Sequence, residues 1–234
     1  MRQRPIVVLA RRRPADTIAA PMARPFNLSL YLVTDPGLTA RRGLTETVAA
    51  AVAGGVTIVQ LRDKTGPART LAEAGRALLA HLRPLGIPLL VDDRIDVAHA
   101  IGADGVHVGQ EDLPPAVART ILGPEAIVGL SVTQADELVT IDPSVDYVGL
   151  GPLFPTGTKA DAAPALGVEE FARLRREISR PVVAIGGIGR ANLRQALIAG
   201  ADGVAMVSAL CAAADPRAAA AELAEAIAAE RKVG

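Results

Sequence analysis

Aromatic side chains are scarce in this chain of 234 residues: tryptophan is absent, and Phe and Tyr together make up 2%. Proteins that bind single-stranded nucleic acid stack bases on aromatic rings, so this composition argues against that class. Positive charge is not in excess either, because 25 Lys and Arg balance 25 Asp and Glu. Binding to nucleic acid or to a membrane surface usually needs a basic excess. We therefore expect neither among the partners.

Cysteine and long apolar runs are also lacking. The single cysteine, Cys211, excludes an intramolecular disulfide and a cysteine-based zinc site. No apolar run reaches the ~18 residues that span a bilayer. Half of the residues are nevertheless hydrophobic, with a mean hydropathy of +0.31, so there is material for a large core. We expect a cytoplasmic globular protein, and both a monomer and a homo-oligomer are compatible with the sequence.

Residues 1–25 differ in composition from the rest, with six arginines and one acid, Asp16. Such a composition occurs in transit peptides, whereas the apolar segment 6–10 is too short for a signal peptide. We expect residues 1–25 to be a disordered N-terminal extension, or the result of a start codon assigned upstream of Met22. Residues 26–234 are then expected to form a single folded domain.

An internal repeat indicates the architecture. Segments 54–60, 103–109, 145–151 and 201–207 each hold a short β-branched run bounded by glycine, which is typical of a strand. Further strands are predicted at 30–34, 88–91, 127–132 and 181–185, with helical patterns between them, including a closing helix at 216–231. Eight strands alternating with helices predict an α/β fold, a (β/α)8 TIM barrel. The alternative is a doubly wound open sheet, but the segment after the first strand, 34–37, lacks its Gly-rich fingerprint.

Polar side chains gather where the predicted strands end, which is where such barrels carry their chemistry. Gln60, Arg62 and Lys64 follow the second strand and share one face of an extended segment. One donor and two cations on a face suit a diphosphate. The alternative is an ordinary solvated loop.

Carboxylates follow the third and fourth strands. Asp93 and Asp112 are a natural pair for Mg²⁺, which prefers one or two carboxylates together with phosphate oxygens and water. Helix capping is the alternative: Asp92 or Asp96 for the next helix, and Asp112 for the helix that opens at 114–115. The residues alone favour neither interpretation.

The remaining strand ends complete the pattern. Ser131 follows the fifth strand, a hydroxyl-rich loop at 155–161 with Lys159 follows the sixth, and glycine turns or hydroxyls at 186–187 and 207–208 follow the last two. Glycine turns there often hold phosphate, although they also end many strands for conformational reasons alone. Together the strand ends predict a site for two phosphorylated groups and a metal. His107 lies within a strand and is expected to be structural, His81 and His99 to lie on the surface, and Cys211 to be buried and inert.

Five motifs, in order, resemble the thiamine-phosphate synthase family, from about residue 28 to about residue 215. They lie at 31–35, 60–64, 104–112, 149–159 and 184–188. The resemblance implies a transferase that joins 4-amino-2-methyl-5-(diphosphooxymethyl)pyrimidine to a thiazole phosphate and releases thiamine phosphate and diphosphate. It also implies that Mg²⁺ is held by Asp93 and Asp112. The pyrimidine diphosphate would be held by Gln60, Arg62, Lys64, Asp92, Ser131 and Lys159, with catalytic roles for Arg62, Lys64 and Lys159, and the thiazole phosphate by Thr156, Thr158, Gly187, Val207 and Ser208.

One residue departs from the family pattern, which usually has asparagine where this chain has Asp92. An amide donates to a diphosphate, whereas a carboxylate repels it unless Mg²⁺ or Arg94 offsets the charge. The departure bears on substrate binding more than on the class of reaction.

Three other functions are compatible with the same barrel. A metal-independent thiazole tautomerase paralogue uses a histidine after the fifth strand, where this chain has 131–133 without one. An aldolase needs a Schiff-base lysine within a strand, and neither Lys64 nor Lys159 is placed so. A non-catalytic protein that binds thiamine phosphate would keep the pocket but show no Mg²⁺-dependent turnover.

Overall fold

The computed structural model describes residues 25–157 and 163–233. The expected N-terminal extension therefore lies outside the described residues, apart from residue 25. Two of the predicted site residues, Thr158 and Lys159, lie outside them as well.

Eight parallel strands close into a barrel, each paired with the next in the chain and the last with the first. The closed sheet confirms the TIM barrel and excludes the open alternative. The strands are β1 (Leu30–Val33), β2 (Ile58–Leu61), β3 (Leu89–Asp92), β4 (Gly105–Val108), β5 (Ile127–Val132), β6 (Tyr147–Leu150), β7 (Val182–Ala184) and β8 (Gly203–Met206).

Helices surround this barrel and cover its outer face. They are α1 (Pro36–Thr39), α2 (Leu44–Ala53), α3 (Ala68–Leu82), α4 (Ile95–Ile101), α5 (Pro115–Leu122), α6 (Gly167–Glu177), α7 (Leu193–Ile198), α8 (Ser208–Cys211) and α9 (Pro216–Val233). The predicted closing helix is α9, which packs against α2, α7 and α8. Between β5 and β6 the chain forms only a 3₁₀ helix, Ala135–Thr140. Across the described residues, the structure contains no helix with the length and apolar character of a membrane span.

Each strand packs against two hydrophobic layers. In β1, Leu30 and Leu32 face the helices, whereas Tyr31 and Val33 face the barrel interior. This alternation follows from the period of two in a strand, and burial on both faces explains why the strands read as continuous apolar runs. On the interior face the side chains become polar toward the carboxyl ends of several strands, and this change positions the site.

The repeat that revealed the strands has a structural cause. Asp104, Asp146 and Asp202 precede β4, β6 and β8, and each accepts a hydrogen bond from the backbone N–H of the first or second residue of the preceding strand, at 2.7–2.9 Å. Thr57, before β2, plays the same part by accepting from Leu30 N at 3.1 Å. Each such bond stabilises the fold by about 1 kcal/mol. The repeated aspartates therefore fasten neighbouring strands rather than form a site.

Candidate active site

A cavity of about 320 Å³ opens at the carboxyl ends of the strands. A wider groove of about 780 Å³ adjoins it over β7 and β8, and the two share Thr156, Gly187, Ile188 and Ser208. The structure thus brings together residues from strands that are far apart in sequence. The predicted site residues that line the cavity are Gln60, Arg62, Asp92, Ser131, Thr156, Gly187, Val207 and Ser208.

The end of β2 carries the two cations predicted to face a diphosphate. Arg62 is largely buried, and its Nε lies 3.5 Å from Asp92 Oδ2, while one terminal nitrogen lies 3.9 Å from Asp35 Oδ2. Lys64 is half exposed and lies 3.7 Å from the same Asp92 oxygen. Both cations therefore stand at one edge of the cavity, beside the carboxylates that end β3.

Lys64 also forms an ion pair with Asp93. Burial tends to lower the pKa of Lys64, but the bond to Asp93 and the charges of Asp92, Asp93 and Asp112 outweigh it and raise that pKa. Burial raises the pKa of Asp93, and the nearby Asp112 carboxyl adds to the rise, although Lys64 opposes it. The Asp112 carboxyl is therefore close enough to Asp93 to act on its pKa. Three carboxylates, those of Asp92, Asp93 and Asp112, thus act on the single ammonium group of Lys64.

Helix capping does not account for these carboxylates. The N-cap residue of α4 is Arg94, that of α5 is Pro114, and neither helix has a side-chain capping bond. Asp112 instead accepts from the backbone N–H of Gly109, at 2.7 Å, within its own loop. Asp93 has a φ of +57°, in the left-handed region that residues other than glycine seldom adopt. Such strain is concentrated at functional sites.

The charge of Asp92 is offset within the structure, but not by Arg94. Arg94, one of the two groups that could offset this charge, pairs instead with the exposed Asp96, with bonds of 2.9 and 2.6 Å. Arg62 and Lys64 provide the positive charge beside Asp92 instead. The carboxylate is therefore accommodated next to the predicted diphosphate position by the cations that would bind that group.

The opposite side of the site is formed by turns after β7 and β8. Gly186 and Gly187 both have positive φ, +95° and +63°, and the short helix α8 begins at Ser208. Loops after the last two strands, with a short extra helix, are the usual phosphate position of (β/α)8 barrels. Arg190 and Asn192 line the groove here and were not predicted from the sequence. Asn192 holds the turn by donating to Gly187 O at 2.9 Å.

Gly187→Ala is expected to destabilise the fold more than Gly86→Ala. A Cβ at Gly187 would lie 2.5 Å from Pro155 O, whereas at Gly86, with a φ of +67°, nothing lies within 4 Å. In both variants alanine must adopt a left-handed backbone conformation, which lowers stability by a similar amount. Only Gly187→Ala also overpacks its surroundings, and this lowers the free energy of unfolding by about a further 1–3 kcal/mol. Urea unfolding of the two variants measures this difference, and equal losses would show that the loop does not pack tightly on Gly187.

Sequence reasoning missed the floor of the cavity. Tyr31 and His107 line it, and Tyr147 lies fully buried among the interior side chains. His107 is hydrogen-bonded to Tyr147 Oη and to Ser131 Oγ, both at 2.8 Å. The polar residues inside the apolar strands β1, β4 and β6 were the available signal. His81 and His99 are exposed, as expected. Cys211 is buried, as expected, and burial raises the pKa of its thiol to about 11.

Comparison with known proteins identifies the family. The family described as thiamine monophosphate synthase matches residues 30–210. The chain belongs to the thiamine monophosphate synthase family. A thiamine-phosphate synthase of Azorhizobium caulinodans is 60% identical over 195 residues, covering 83% of this chain and 92% of the relative. One of Xanthobacter autotrophicus is 54% identical over 211 residues, covering 90% and 100%.

A solved structure agrees with this assignment. Thiamine phosphate pyrophosphorylase from Pyrococcus furiosus superposes with a TM-score of 0.79 at 40% identity, covering 87% of this chain and 96% of that one. Membership of the thiamine monophosphate synthase family makes this chain an enzyme, a transferase.

The donor atoms of the Asp93 and Asp112 carboxylates are of the kind that Mg²⁺ prefers. Within residues 25–157 and 163–233, no group of three or more His, Cys, Asp or Glu could hold a metal by itself. Asp93 and Asp112 supply two carboxylates, which is the number that Mg²⁺ takes when phosphate oxygens and water complete its shell.

Proposed function

We propose that this chain condenses 4-amino-2-methyl-5-(diphosphooxymethyl)pyrimidine with a thiazole phosphate to give thiamine phosphate and diphosphate. The observation that carries the proposal is the cluster at the ends of β2, β3 and β4. There two cations, Arg62 and Lys64, lie beside the carboxylates of Asp92 and Asp93, at the edge of a cavity large enough for a pyrimidine ring. The names of the relatives support the same reaction.

The reaction is a substitution at the methylene carbon of the pyrimidine. The C–O bond breaks, its electron pair leaves with the diphosphate, and a resonance-stabilised pyrimidinylmethyl cation remains. The lone pair of the thiazole nitrogen then forms the new C–N bond. That nitrogen carries no proton, so the reaction needs no nucleophile–base pair, and the cavity requires only groups that bind, orient and neutralise charge.

The residues divide these tasks. Arg62, Lys64 and Lys159 would neutralise the departing diphosphate, and Mg²⁺ held by Asp93 and Asp112 would supply Lewis-acid stabilisation of the same oxygens. Gln60 and Ser131 would hold the pyrimidine ring. The thiazole phosphate would occupy the groove over β7 and β8, held by Thr156, Thr158, Gly187, Val207 and Ser208, with Arg190 contributing positive charge.

The alternatives have less support. A tautomerase would need an acid–base histidine, and His107 does reach the cavity from β4, but both of its ring nitrogens are engaged by Tyr147 and Ser131. A protein that only binds thiamine phosphate would have no use for the cluster of Lys64, Asp93 and Asp112.

Mixing both substrates with the enzyme, with and without Mg²⁺, tests the proposal. We expect diphosphate release that requires Mg²⁺ and stops when EDTA is added, because the leaving group carries several negative charges. No release with Mg²⁺ present would overturn the synthase proposal. Release that persists in EDTA would remove Asp93 and Asp112 from their proposed role while leaving the reaction in place.

A further inference from the structure

A hydrogen-bonded row crosses the barrel beneath the cavity. Gln60 Nε2 lies 2.9 Å from Tyr31 Oη, which lies 2.8 Å from Tyr147 Oη. Tyr147 Oη lies 2.8 Å from His107 Nδ1, and His107 Nε2 lies 2.8 Å from Ser131 Oγ. These five residues come from β2, β1, β6, β4 and β5, and we call them the row. Its two ends, Gln60 and Ser131, both line the cavity.

Two strand glycines make room for the centre of the row. A Cβ at Gly129 would lie 2.4 Å from His107 Nδ1 and 2.3 Å from Tyr147 Cζ. A Cβ at Gly149 would lie 3.0 Å from His107 Cε1. Glycine within a strand weakens it and often marks a close approach. The backbone is thus shaped around the contact between the histidine and the tyrosine, which indicates that the row is a built feature of the interior.

The first bond of the row favours one order of donors and acceptors. The Gln60 amide turns its NH₂ group toward Tyr31 Oη, so that oxygen accepts, and Tyr147 Oη is the acceptor within the row for the single Tyr31 hydroxyl hydrogen. The Tyr147 hydrogen then goes to His107 Nδ1. With Nδ1 accepting, neutral His107 carries its proton on Nε2 and donates to Ser131 Oγ.

Both tyrosines keep the hydroxyl hydrogen that this order requires. Burial raises the pKa of both Tyr31 and Tyr147 above the usual value for a phenol, so each keeps its hydroxyl proton. Gln60 therefore presents its Oε1 acceptor to the cavity, and Ser131 presents its hydroxyl hydrogen.

We propose that Tyr31, Tyr147 and His107 are positioning residues that set the specificity for a 4-aminopyrimidine through Gln60 and Ser131. This inference rests on the proposed function, which identifies the bound ring as a 4-aminopyrimidine. An amino group donates to Gln60 Oε1, and a ring nitrogen accepts from the Ser131 hydroxyl. A 4-oxo ring would face the Gln60 oxygen with a second oxygen, which leaves a buried acceptor unpaired and is strongly disfavoured.

The proton on His107 is measured directly by long-range ¹H–¹⁵N NMR of the histidine-labelled chain without substrate. The chain has three histidines, so His107→Gln assigns the signal. We expect a neutral ring protonated at Nε2, and a mixture of both tautomers in Tyr147→Phe because Nδ1 loses its donor. A ring protonated at Nδ1 in the wild type, or no change in Tyr147→Phe, would overturn the proposal.

Phe26→Leu is the matched control. The Phe26 ring packs edge-on against Tyr147 at 5.9 Å between centroids, so its loss disturbs the same place without removing a bond of the row. We expect His107 in this variant to keep the wild-type tautomer in the same NMR measurement. A shift equal to that in Tyr147→Phe would assign the effect to packing and contradict the role of the row.

Specificity is measured as the ratio of kcat/KM for the 4-amino pyrimidine diphosphate and its 4-oxo analogue. Tyr31→Phe frees the Gln60 amide to rotate, and we expect this ratio to fall about 10- to 100-fold, mainly through KM for the amino substrate. Phe26→Leu keeps the ratio. An unchanged kcat/KM ratio in Tyr31→Phe would show that the row does not set the specificity. If the wild type shows no turnover, the proposed function is wrong instead. The NMR result would still decide the order of donors and acceptors along the row.

Discussion

Asp93→Asn is expected to lower the turnover number about 100- to 1,000-fold, the usual cost of removing one preorganised charge from a site of developing charge. Asparagine is the informative replacement because it tolerates the left-handed backbone that Asp93 adopts, with a φ of +57°. The change removes one carboxylate from the proposed Mg²⁺ pair with Asp112 and also removes one of the two ion-pair partners of Lys64. The Mg²⁺ concentration for half-maximal rate should rise in the same variant, and Asp112→Asn should behave alike.

Asp96→Asn provides the control for this result. Asp96 is an exposed carboxylate in the first turn of α4, paired with Arg94. Steady-state rates across a Mg²⁺ series should be unchanged in that variant, with far-UV circular dichroism confirming that each protein is folded. If Asp93→Asn keeps the wild-type rate and Mg²⁺ dependence, the metal assignment is wrong.

Lys159→Ala is expected to slow diphosphate release about 100-fold without loss of the fold. The described residues nearest to it on either side that line the cavity are Thr156 and Ala163. In the proposed role, the Lys159 cation acts on the charge that develops on the leaving diphosphate, and less on the ground state, so kcat should fall more than KM rises. Single-turnover release of diphosphate, followed with a coupled phosphate assay, separates this step from product dissociation.

The small number of lysines makes the controls for this variant simple. Lys232 stands in the last turn of α9 and is exposed, and Lys232→Ala should leave release unchanged. Lys159→Arg keeps the charge and should restore part of the rate. An unchanged turnover number in Lys159→Ala would remove this residue from the proposed mechanism.

The fold was predictable because its signal is local. The four repeated segments are short β-branched runs bounded by glycine, and the aspartates before β4, β6 and β8 repeat because each fastens a neighbouring strand. The predicted start of the second strand was wrong for a physical reason. The segment 54–60 predicted a strand centred on Val56, but α2 runs to Ala53 and Gly55 turns the chain with a φ of +114°, so β2 begins only at Ile58.

The rim of the site was also predictable, because polar residues at or just after the ends of apolar strands are conspicuous in a sequence. Gln60, Arg62, Ser131 and Ser208 all line the cavity. The floor was not predictable in the same way. Tyr31 and Tyr147 occupy ordinary strand positions, and nothing in their local sequence shows that strands from opposite parts of the chain bring their hydroxyls to 2.8 Å. Likewise, the partner of Asp92 came from another strand rather than from its sequence neighbour Arg94.

The placement of the tyrosines has an optical consequence. Tyr31 and Tyr147 are the two tyrosines of the whole chain, which has no tryptophan. Near-ultraviolet absorption, circular dichroism and intrinsic fluorescence, which in most proteins average over many scattered rings, arise here chiefly from two phenols under one cavity. A ligand that settles on that floor would change the spectrum of the entire molecule, so the unmodified protein carries its own reporter of occupancy.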